Sequence, residues 1–388
     1  MKILIASDLH WPTINGVATF SRTLAKGLAA RGHEVLVIAP SQTGKRYEEY
    51  DGNHLVKRTM SVPFPFYQNI RISLTPQREV KKIIDEFQPD VIHIQMLMWI
   101  GQAAMRYGNK RDIAVVSTNH AMPENLMDNM KMLAPIARPI NYMLKEYGRR
   151  FHSKSDCVTM PTQSAIDMFD VADKLPAPMI AVSNGIDLSR FTIKSAPKEL
   201  YEKFRIPDDR PVISYIGRLD AEKHLSVLLM AFSQIREATG AHLLIVGSGT
   251  DVDNLHRLSR ELEINNHVTF TGRVTDEEIV DLHNVGTVYC MPSPAELQSI
   301  ATLEAMASGQ PIVAVNAGAL RELCVSDVNG YLCEQDNADQ MAEAIKKILS
   351  SKKRRADFSA ASLAMAQEHD LEYTLDRFEE IYANVMHR

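Results

Sequence analysis

Short apolar runs recur along this chain, each followed by a polar loop and then by a stretch with helical spacing. The first, Ile3-Leu4-Ile5-Ala6, suits a buried parallel strand. The loop Trp11 to Val17 comes next, then an amphipathic helix to about Ala30, closed by Gly32, and a strand from Glu34 to Ala39. The segment Lys45 to Pro76 interrupts the pattern. It is polar and proline-rich, with Pro63 and Pro65 and the aromatics Phe64, Phe66 and Tyr67. The alternation resumes with a helix from about Gln77 to Phe87, a strand Val91 to Ile94, a helix near Trp99 to Tyr107, and strands Ala114 to Thr118, Cys157 to Met160 and Met179 to Val182.

The same rhythm restarts in the second half. Strand Val212 to Ile216 precedes a helix to about Glu237, strand His242 to Val246 a helix to Leu262, and strand Val268 to Thr271 another polar loop. An apolar strand ending at Met291 runs into a Pro/Ser loop, then good helix formers from about Ser299 up to a Gly-x-Pro stop at Gly309 and Pro311. Strand Gly330 to Cys333, helices from about Ala338 and Arg354, and a last helix, roughly Leu371 to His387, finish the chain. Strands alternating with helices argue an α/β protein with parallel, doubly wound sheets, and 388 residues suit two such domains better than one core.

Composition changes this picture little. With 45% hydrophobic and 23% charged residues the chain has an ordinary globular balance, and no stretch approaches the roughly 18 apolar residues of a membrane span. The apolar run at the N-terminus is too short for a leader, so a cytoplasmic protein is expected. Cys157, Cys290, Cys324 and Cys333 form no C-x-x-C pair and are expected to be buried, reduced thiols. A net charge of −5 argues against a general nucleic-acid binder. Its distribution says more: Met1 to Arg190 carries 23 basic and 18 acidic residues, and the remainder 20 and 30, so one half is about +5 and the other about −10.

The chemistry concentrates around Met291 to Pro311. A helix N-terminus gathers unpaired N–H groups and the positive end of the dipole, which suits the backbone of Leu297, Gln298, Ser299 and Ile300 to an anion such as a pyrophosphate. Glu296 before the helix and Glu304 inside it can lie roughly 10 Å apart. That spacing would let each accept hydroxyls at one end of a sugar diphosphate nucleotide. Taken alone, they read equally as a loop charge and a solvated helix residue. Arg218 and Lys223, beside Gly217 at a strand-to-helix loop, can supply a guanidinium fork and a point charge to a diphosphate. His120 follows a strand at the edge where open α/β sheets bind ligands, and Gly16 permits close backbone approach or simply turns the chain. Asp251-Val252-Asp253 has a D-x-D spacing, but these acids open a helix and complement its dipole, so no metal site is read there.

Together these residues resemble retaining family 4 glycosyltransferases. Two glutamates with seven residues between them, continuing as Glu304-Ala305-Met306-Ala307-Ser308-Gly309-Gln310-Pro311, match that family's signature. Gly217-Arg218 to Lys223 matches its G-R-x-x-x-x-K clamp, and Asn184 to Phe191 its interdomain segment. The resemblance implies a GT-B fold: two Rossmann-like domains, 1–183 for the acceptor and 184–368 for the nucleotide sugar, facing across a deep crevice, with a C-terminal helix, 369–388, crossing back to the first. It implies catalytic roles for His120, at the transferred sugar, and for Arg218, Lys223 and Glu296. It gives donor contacts to Gly16 at the phosphates, Arg273 and Val274 at the base, and Glu296 to Ile300 with Glu304. No metal or other cofactor is expected.

Glu296-Leu297-Gln298-Ser299 is similar to the Glu-x-Gln-Gly form of diacylglycerol glucosyltransferases, with Ser299 departing from the usual glycine. The expected activity is therefore transfer of a hexose from UDP-glucose to a lipid such as diacylglycerol, with retention of configuration. The alternatives are a GDP-mannose-dependent mannosyltransferase acting on phosphatidylinositol or another glycolipid, and transfer to a soluble acceptor. Remoter ones are a sugar-nucleotide epimerase and a non-catalytic sensor. From Pro139 to His152, Ile140, Met143, Leu144, Tyr147 and Phe151 share one helical face, while Lys145, Arg149 and His152 fall opposite. With Arg150 and the methionine-rich stretch Met122 to Met132, this helix either docks on an anionic membrane or packs on the first sheet. A peripheral position at the inner face of the plasma membrane follows from the first of these.

Overall fold

The structure, a computed structural model, describes residues 1–13, 15–64, 70–120, 137–169 and 175–387, and the side chains of all of these except 137–139 and 141. Ile14, Pro65, Phe66, Tyr67 and the stretch Met122 to Met132, singled out above, lie outside the described residues, as does the side chain of Pro139. The chain divides into two compact units, Met1–Ser183 with Thr374–Arg388, and Asn184–Tyr373.

The first unit is built on β1 (Lys2–Ala6), β2 (Glu34–Pro40), β3 (Tyr47–Asp51), β4 (His54–Thr59), β7 (Val91–Ile94), β8 (Ala114–Thr118), β9 (Cys157–Met160) and β10 (Met179–Ala181). They form one sheet in the order β10-β9-β8-β7-β1-β2-β4-β3. All pairs are parallel except β3 with β4. Ile3, Leu4, Ile5 and Ala6 are fully buried, as a strand with both faces covered requires. The winding reverses between β1 and β7, so the loops after these two strands open side by side.

The segment read as polar and proline-rich holds β3 and β4, and also a short antiparallel pair, β5 (Ser61–Pro63) with β6 (Arg71–Ser73). β3 is mostly exposed, so its polar sequence is that of a sheet edge. Asp51 pairs with His54 across the two-residue turn Gly52-Asn53, whose Gly52 has φ 66°, the positive φ that a two-residue hairpin asks of its first position.

The helix Leu371–Met386 belongs to the first unit from Thr374 onward and inserts Leu375, Phe378, Ile381 and Tyr382 into its core. Leu375 fills the space that a side chain at Gly27 would take, 2.6 Å from where its Cβ would lie. The Tyr382 hydroxyl meets His93 Nδ1 at 2.7 Å, and Arg31 binds Asp376 and Glu379 at 2.7 Å each.

The second unit carries β11 (Val212–Ile216), β12 (His242–Val246), β13 (Val268–Phe270), β14 (Val288–Met291), β15 (Ile312–Val315) and β16 (Gly330–Cys333), all parallel, in the order β13-β12-β11-β14-β15-β16. β15, a fully buried apolar run directly behind Pro311, is an addition to the strands expected from the sequence. Here the winding reverses between β11 and β14. Both units thus have the Rossmann-like, doubly wound architecture that the periodicity implies. No helix among the described residues is long and apolar enough to cross a membrane.

Candidate active site

In the second unit, four loops leave the carboxyl ends of adjacent strands: 217–224 after β11, 247–251 after β12, 271–275 after β13 and 292–299 after β14. The first two pack too closely to admit side chains on their glycines. A Cβ on Gly247, which has φ 131°, would lie 1.9 Å from the Gly217 carbonyl oxygen, and one on Gly249 2.3 Å from that of Leu219. Below them, the buried Tyr215 hydroxyl donates to the Arg218 carbonyl at 2.8 Å, and that of Tyr289 to the Ile216 carbonyl at 3.0 Å. The rim is therefore held by backbone and buried phenols rather than by mobile side chains.

The switch point lies between the first and last of these loops, and Lys223 and Glu296 meet across it, Nζ to Oε1 at 2.5 Å. Both side chains are nearly buried, 11% and 12% exposed, and Glu222 stands 3.9 Å from the same ammonium. Arg218 forks onto Asp220 through Nη1 and Glu222 through Nη2. Asp220 Oδ1 also accepts the Thr250 backbone N–H at 2.8 Å and its hydroxyl at 3.0 Å, which ties the loop after β11 to the loop after β12. The site is two cations held by three carboxylates, a cluster with one carboxylate in excess, in which an incoming anion would have to displace carboxylate oxygens from the cations.

Beside them the helix Ile300–Ala307 begins. Its first backbone donations come from Thr302 and Leu303 to the Ser299 carbonyl, so Ile300 and Ala301 open its N-terminus. Ser299 has φ 71°, a left-handed backbone that suits glycine, and its hydroxyl is 2.8 Å from that of Thr302. Leu297 is half-buried; Gln298 is buried, and its side-chain oxygen accepts the Asn184 N–H at 2.8 Å. Gln298 thus braces the loop from behind rather than offering that oxygen to a ligand. Glu304, far from being a solvated helix residue, is 3.1 Å from Nε2 of the fully buried His283. Arg273 is exposed with its Nε donating to Ser248 Oγ at 3.2 Å, and Val274 packs against the core beneath. Asp251 and Asp253 flank the start of the helix Val252–Glu261, and Asp251 accepts Asn254 Nδ2 at 2.7 Å.

The first unit repeats the arrangement with different groups. Asn15 caps the helix Gly16–Ala30, accepting the Ala18 N–H at 2.8 Å, so Gly16 is that helix's first residue. After β1, buried Asp8 accepts the N–H groups of Ile100 and Gly101 at 2.8 and 3.2 Å; burial outweighs these bonds and raises its carboxyl to about 7. His120 follows β8, with Nε2 2.8 Å from Gln95 Oε1 and its ring 5.2 Å from that of Phe20. Desolvation lowers its pKa to about 3, so the imidazole is neutral near pH 7 and serves as a hydrogen-bonding group rather than a cation. Asp8, Gln95, Asp220, Glu222 and His283 escaped the sequence reading. Nothing in their local spacing separates them from ordinary loop and helix residues.

The helix Ala137–His152 departs from the expected division of faces. His152 is not on the polar side: it is buried, its Nδ1 2.8 Å from Ser117 Oγ, alongside buried Phe151. Met143 and Tyr147, placed on the apolar face, are exposed, as is Tyr142, so these two do not pack on the sheet. The inward face is instead Gly148, Phe151 and His152, with Phe169 beside Gly148. Of the three basic residues singled out there, Arg149 and Arg150 both pair with Glu146 at 2.7 Å, and Lys145 is half-buried.

Among the described residues, one group could bring metal-ligating atoms together: His10, Asp51 and His54, within 4.8 Å of one another. Burial works against ionising Asp51, but Arg22 at 2.6 Å and Lys26 at 2.8 Å outweigh it and hold the carboxyl below its usual range. The same two cations oppose a divalent ion.

Two family models match this chain, "Glycosyltransferase Family 4" over residues 14–190 and "Glycosyl transferases group 1" over residues 198–364. An alpha-monoglucosyldiacylglycerol synthase of Streptococcus pneumoniae is 28% identical, over 89% of this chain and 78% of its own. A GDP-mannose-dependent alpha-mannosyltransferase of Mycolicibacterium smegmatis is 27% identical, over 95% and 93%. Among solved structures, a sucrose-phosphate synthase of Thermosynechococcus elongatus superposes with a TM-score of 0.81 at 18% identity, covering 99% of this chain and 98% of that one. Anabaena HepE in complex with UDP and glucose gives 0.75 at 19% identity, over 99% of each chain. Both share the fold.

Proposed function

The chain belongs to the family 4 glycosyltransferases of GT-B fold, and from that premise we propose that it moves a hexose from UDP-glucose to a lipid acceptor such as diacylglycerol, with retention of anomeric configuration. That it is a hexosyltransferase follows from the family; donor, acceptor and stereochemistry are the proposal. The observation that supports a sugar-diphosphate donor is the cluster at the switch point, Lys223 on Glu296 and Arg218 on Asp220 and Glu222, beside the N-terminus of the helix Ile300–Ala307; the choice of UDP-glucose draws on Glu296-Leu297-Gln298-Ser299. As the sugar–phosphate bond breaks, negative charge grows on the leaving diphosphate. Once turned from their carboxylate partners to the bound diphosphate, Arg218 and Lys223, with the helix N–H groups, are suited to stabilise that charge.

Glu296 then exchanges its partner: when Lys223 turns to the diphosphate, the carboxylate becomes an acceptor for sugar hydroxyls. No residue is assigned as a covalent nucleophile. The acceptor hydroxyl attacks on the face that the diphosphate leaves, and the departing phosphate takes its proton. Gly16 and His120 are assigned to the donor's phosphates and transferred sugar, and Arg273 and Val274 to its base. A second reading, GDP-mannose as donor and a phosphatidylinositol-type lipid as acceptor, draws on the mannosyltransferase relatives. The test is to offer labelled UDP-glucose or GDP-mannose with vesicles carrying diacylglycerol or phosphatidylinositol, and to read the product and its anomeric configuration by NMR. An α-glucolipid from UDP-glucose is expected; a β-anomer excludes retention, and product only from GDP-mannose selects the second reading.

Because the charge on the leaving group is assigned to fixed cations, activity is expected to survive excess EDTA within about twofold. Loss of activity on chelation, restored by manganese or magnesium, would contradict this. A second expectation concerns the membrane. Lys145, Arg149 and Arg150, beside exposed Tyr142 and Met143, form the surface proposed to meet anionic lipid. Glu146 offsets one of these charges, so at about 1 kcal/mol per net charge the patch contributes about 2 kcal/mol, or roughly thirtyfold in binding. In co-sedimentation at low salt, wild type should bind anionic vesicles and the Lys145→Glu, Arg149→Glu, Arg150→Glu variant should not. Equal binding by both would remove the membrane role from this helix.

A further inference from the structure

His283 ends the helix Asp276–His283, with its side chain fully buried. The ring packs edge-on against Phe191, centroids 5.8 Å apart, and lies 6.0 Å from Tyr289. Its backbone carbonyl accepts Gln310 Nε2 at 2.7 Å, while Gln310 Oε1 accepts the Ser214 hydroxyl at 2.8 Å. Backbone and ring are both fixed, and Gln310 itself lies in the Gly309-Gln310-Pro311 stop of the signature segment.

The one polar contact of the imidazole among the described residues is Nε2 to Glu304 Oε2, 3.1 Å; Nδ1 is buried with no partner among them. A carboxylate oxygen accepts here, so Nε2 is the donor of this contact. Leaving Nδ1 bare in an apolar pocket costs free energy. That cost, met beside a carboxylate assigned to the donor, is what a residue kept for orientation would show. The contact anchors one Glu304 oxygen and leaves Oε1 to accept a ligand hydroxyl.

We propose that His283 is a positioning residue for donor recognition, holding Glu304 so that its second oxygen accepts a hydroxyl of the donor's ribose. The inference rests on assigning Glu304 to the ribose. His283 touches no substrate, and its effect is confined to nucleotides that carry those hydroxyls.

The test measures binding of UDP, GDP and their 2′,3′-dideoxy counterparts by calorimetry, with thermal unfolding alongside, for wild type, His283→Phe, His283→Gln and Glu304→Ala. For the base that binds, wild type should prefer the ribonucleotide at least tenfold. His283→Phe should weaken the ribonucleotide about tenfold and leave the dideoxy form unchanged. His283→Gln, whose amide can place an N–H near the same point, should regain part of the preference. The losses in His283→Phe and Glu304→Ala should not add when combined. A wild type blind to the ribose hydroxyls overturns the Glu304 assignment and the proposal with it. A wild type that discriminates while both His283 variants discriminate equally well overturns the proposal alone, as does an equal weakening of ribo and dideoxy forms, the mark of a purely structural role.

Discussion

Lys223→Ala is expected to lower turnover on the order of a hundredfold at saturating donor, the scale of losing one preorganised charge contact to a developing oxyanion, about 3 kcal/mol. The structure supplies two reasons for so large an effect. The ammonium is nearly buried, so its field is poorly screened, and it stands at the switch point among carboxylates that hold its position. Removing it also leaves Glu296 and Glu222 facing each other without their cation. Stability should fall by about 2 kcal/mol, between the cost of breaking an exposed pair and that of a fully buried one. Thermal unfolding separates the two effects: a folded variant, measured well below its midpoint, should still show the full loss of turnover. Near wild-type turnover would remove Lys223 from the leaving-group site.

Glu296→Gln is the second large effect, again on the order of a hundredfold in turnover. The amide keeps the shape of the carboxylate and can still meet Lys223, but it accepts hydroxyls weakly and gains an N–H that turns away other donors. The Glu296 backbone carbonyl accepts the Ala319 N–H at 3.2 Å, so the loop itself should hold and the midpoint of unfolding move little. If turnover stayed high while donor affinity fell, Glu296 would be a ground-state contact rather than one made chiefly in the transition state.

How much of this was legible in the sequence differs element by element. Apolar runs such as Ile3 to Ala6 and Val212 to Ile216 are buried on both faces, and burial of that kind leaves no ambiguity between strand and loop. β3 was hidden because an edge strand needs no apolar face; the Gly52-Asn53 turn was the signal that could have revealed it. In the helix Ala137–His152, spacing alone misassigned His152 to the polar face. A histidine hydrogen-bonded to Ser117 can be buried beside Phe151, which spacing does not show.

At the site, Arg218, Lys223, Glu296 and Glu304 were visible as residue types in loops after strands, but their partners were not. Lys223 meets Glu296 across 73 positions of chain, and His283 meets Glu304 across 21. Pairings of that range depend on sheet order, which local pattern does not encode. Ser299 shows the converse. The resemblance marks it as a departure from glycine, and its φ of 71° explains why glycine suits that position. A left-handed residue with a Cβ costs about 1 kcal/mol, partly offset here by the contact with Thr302.

Release of nucleoside diphosphate from a panel of sugar nucleotides, with and without lipid acceptor, tests the central claim most directly, with Lys223→Ala run in parallel. The account predicts acceptor-stimulated release from one nucleotide hexose, undiminished by EDTA and nearly abolished in the variant. Interconversion of the nucleotide sugar without acceptor, or tight donor binding with neither transfer nor slow hydrolysis, would contradict it.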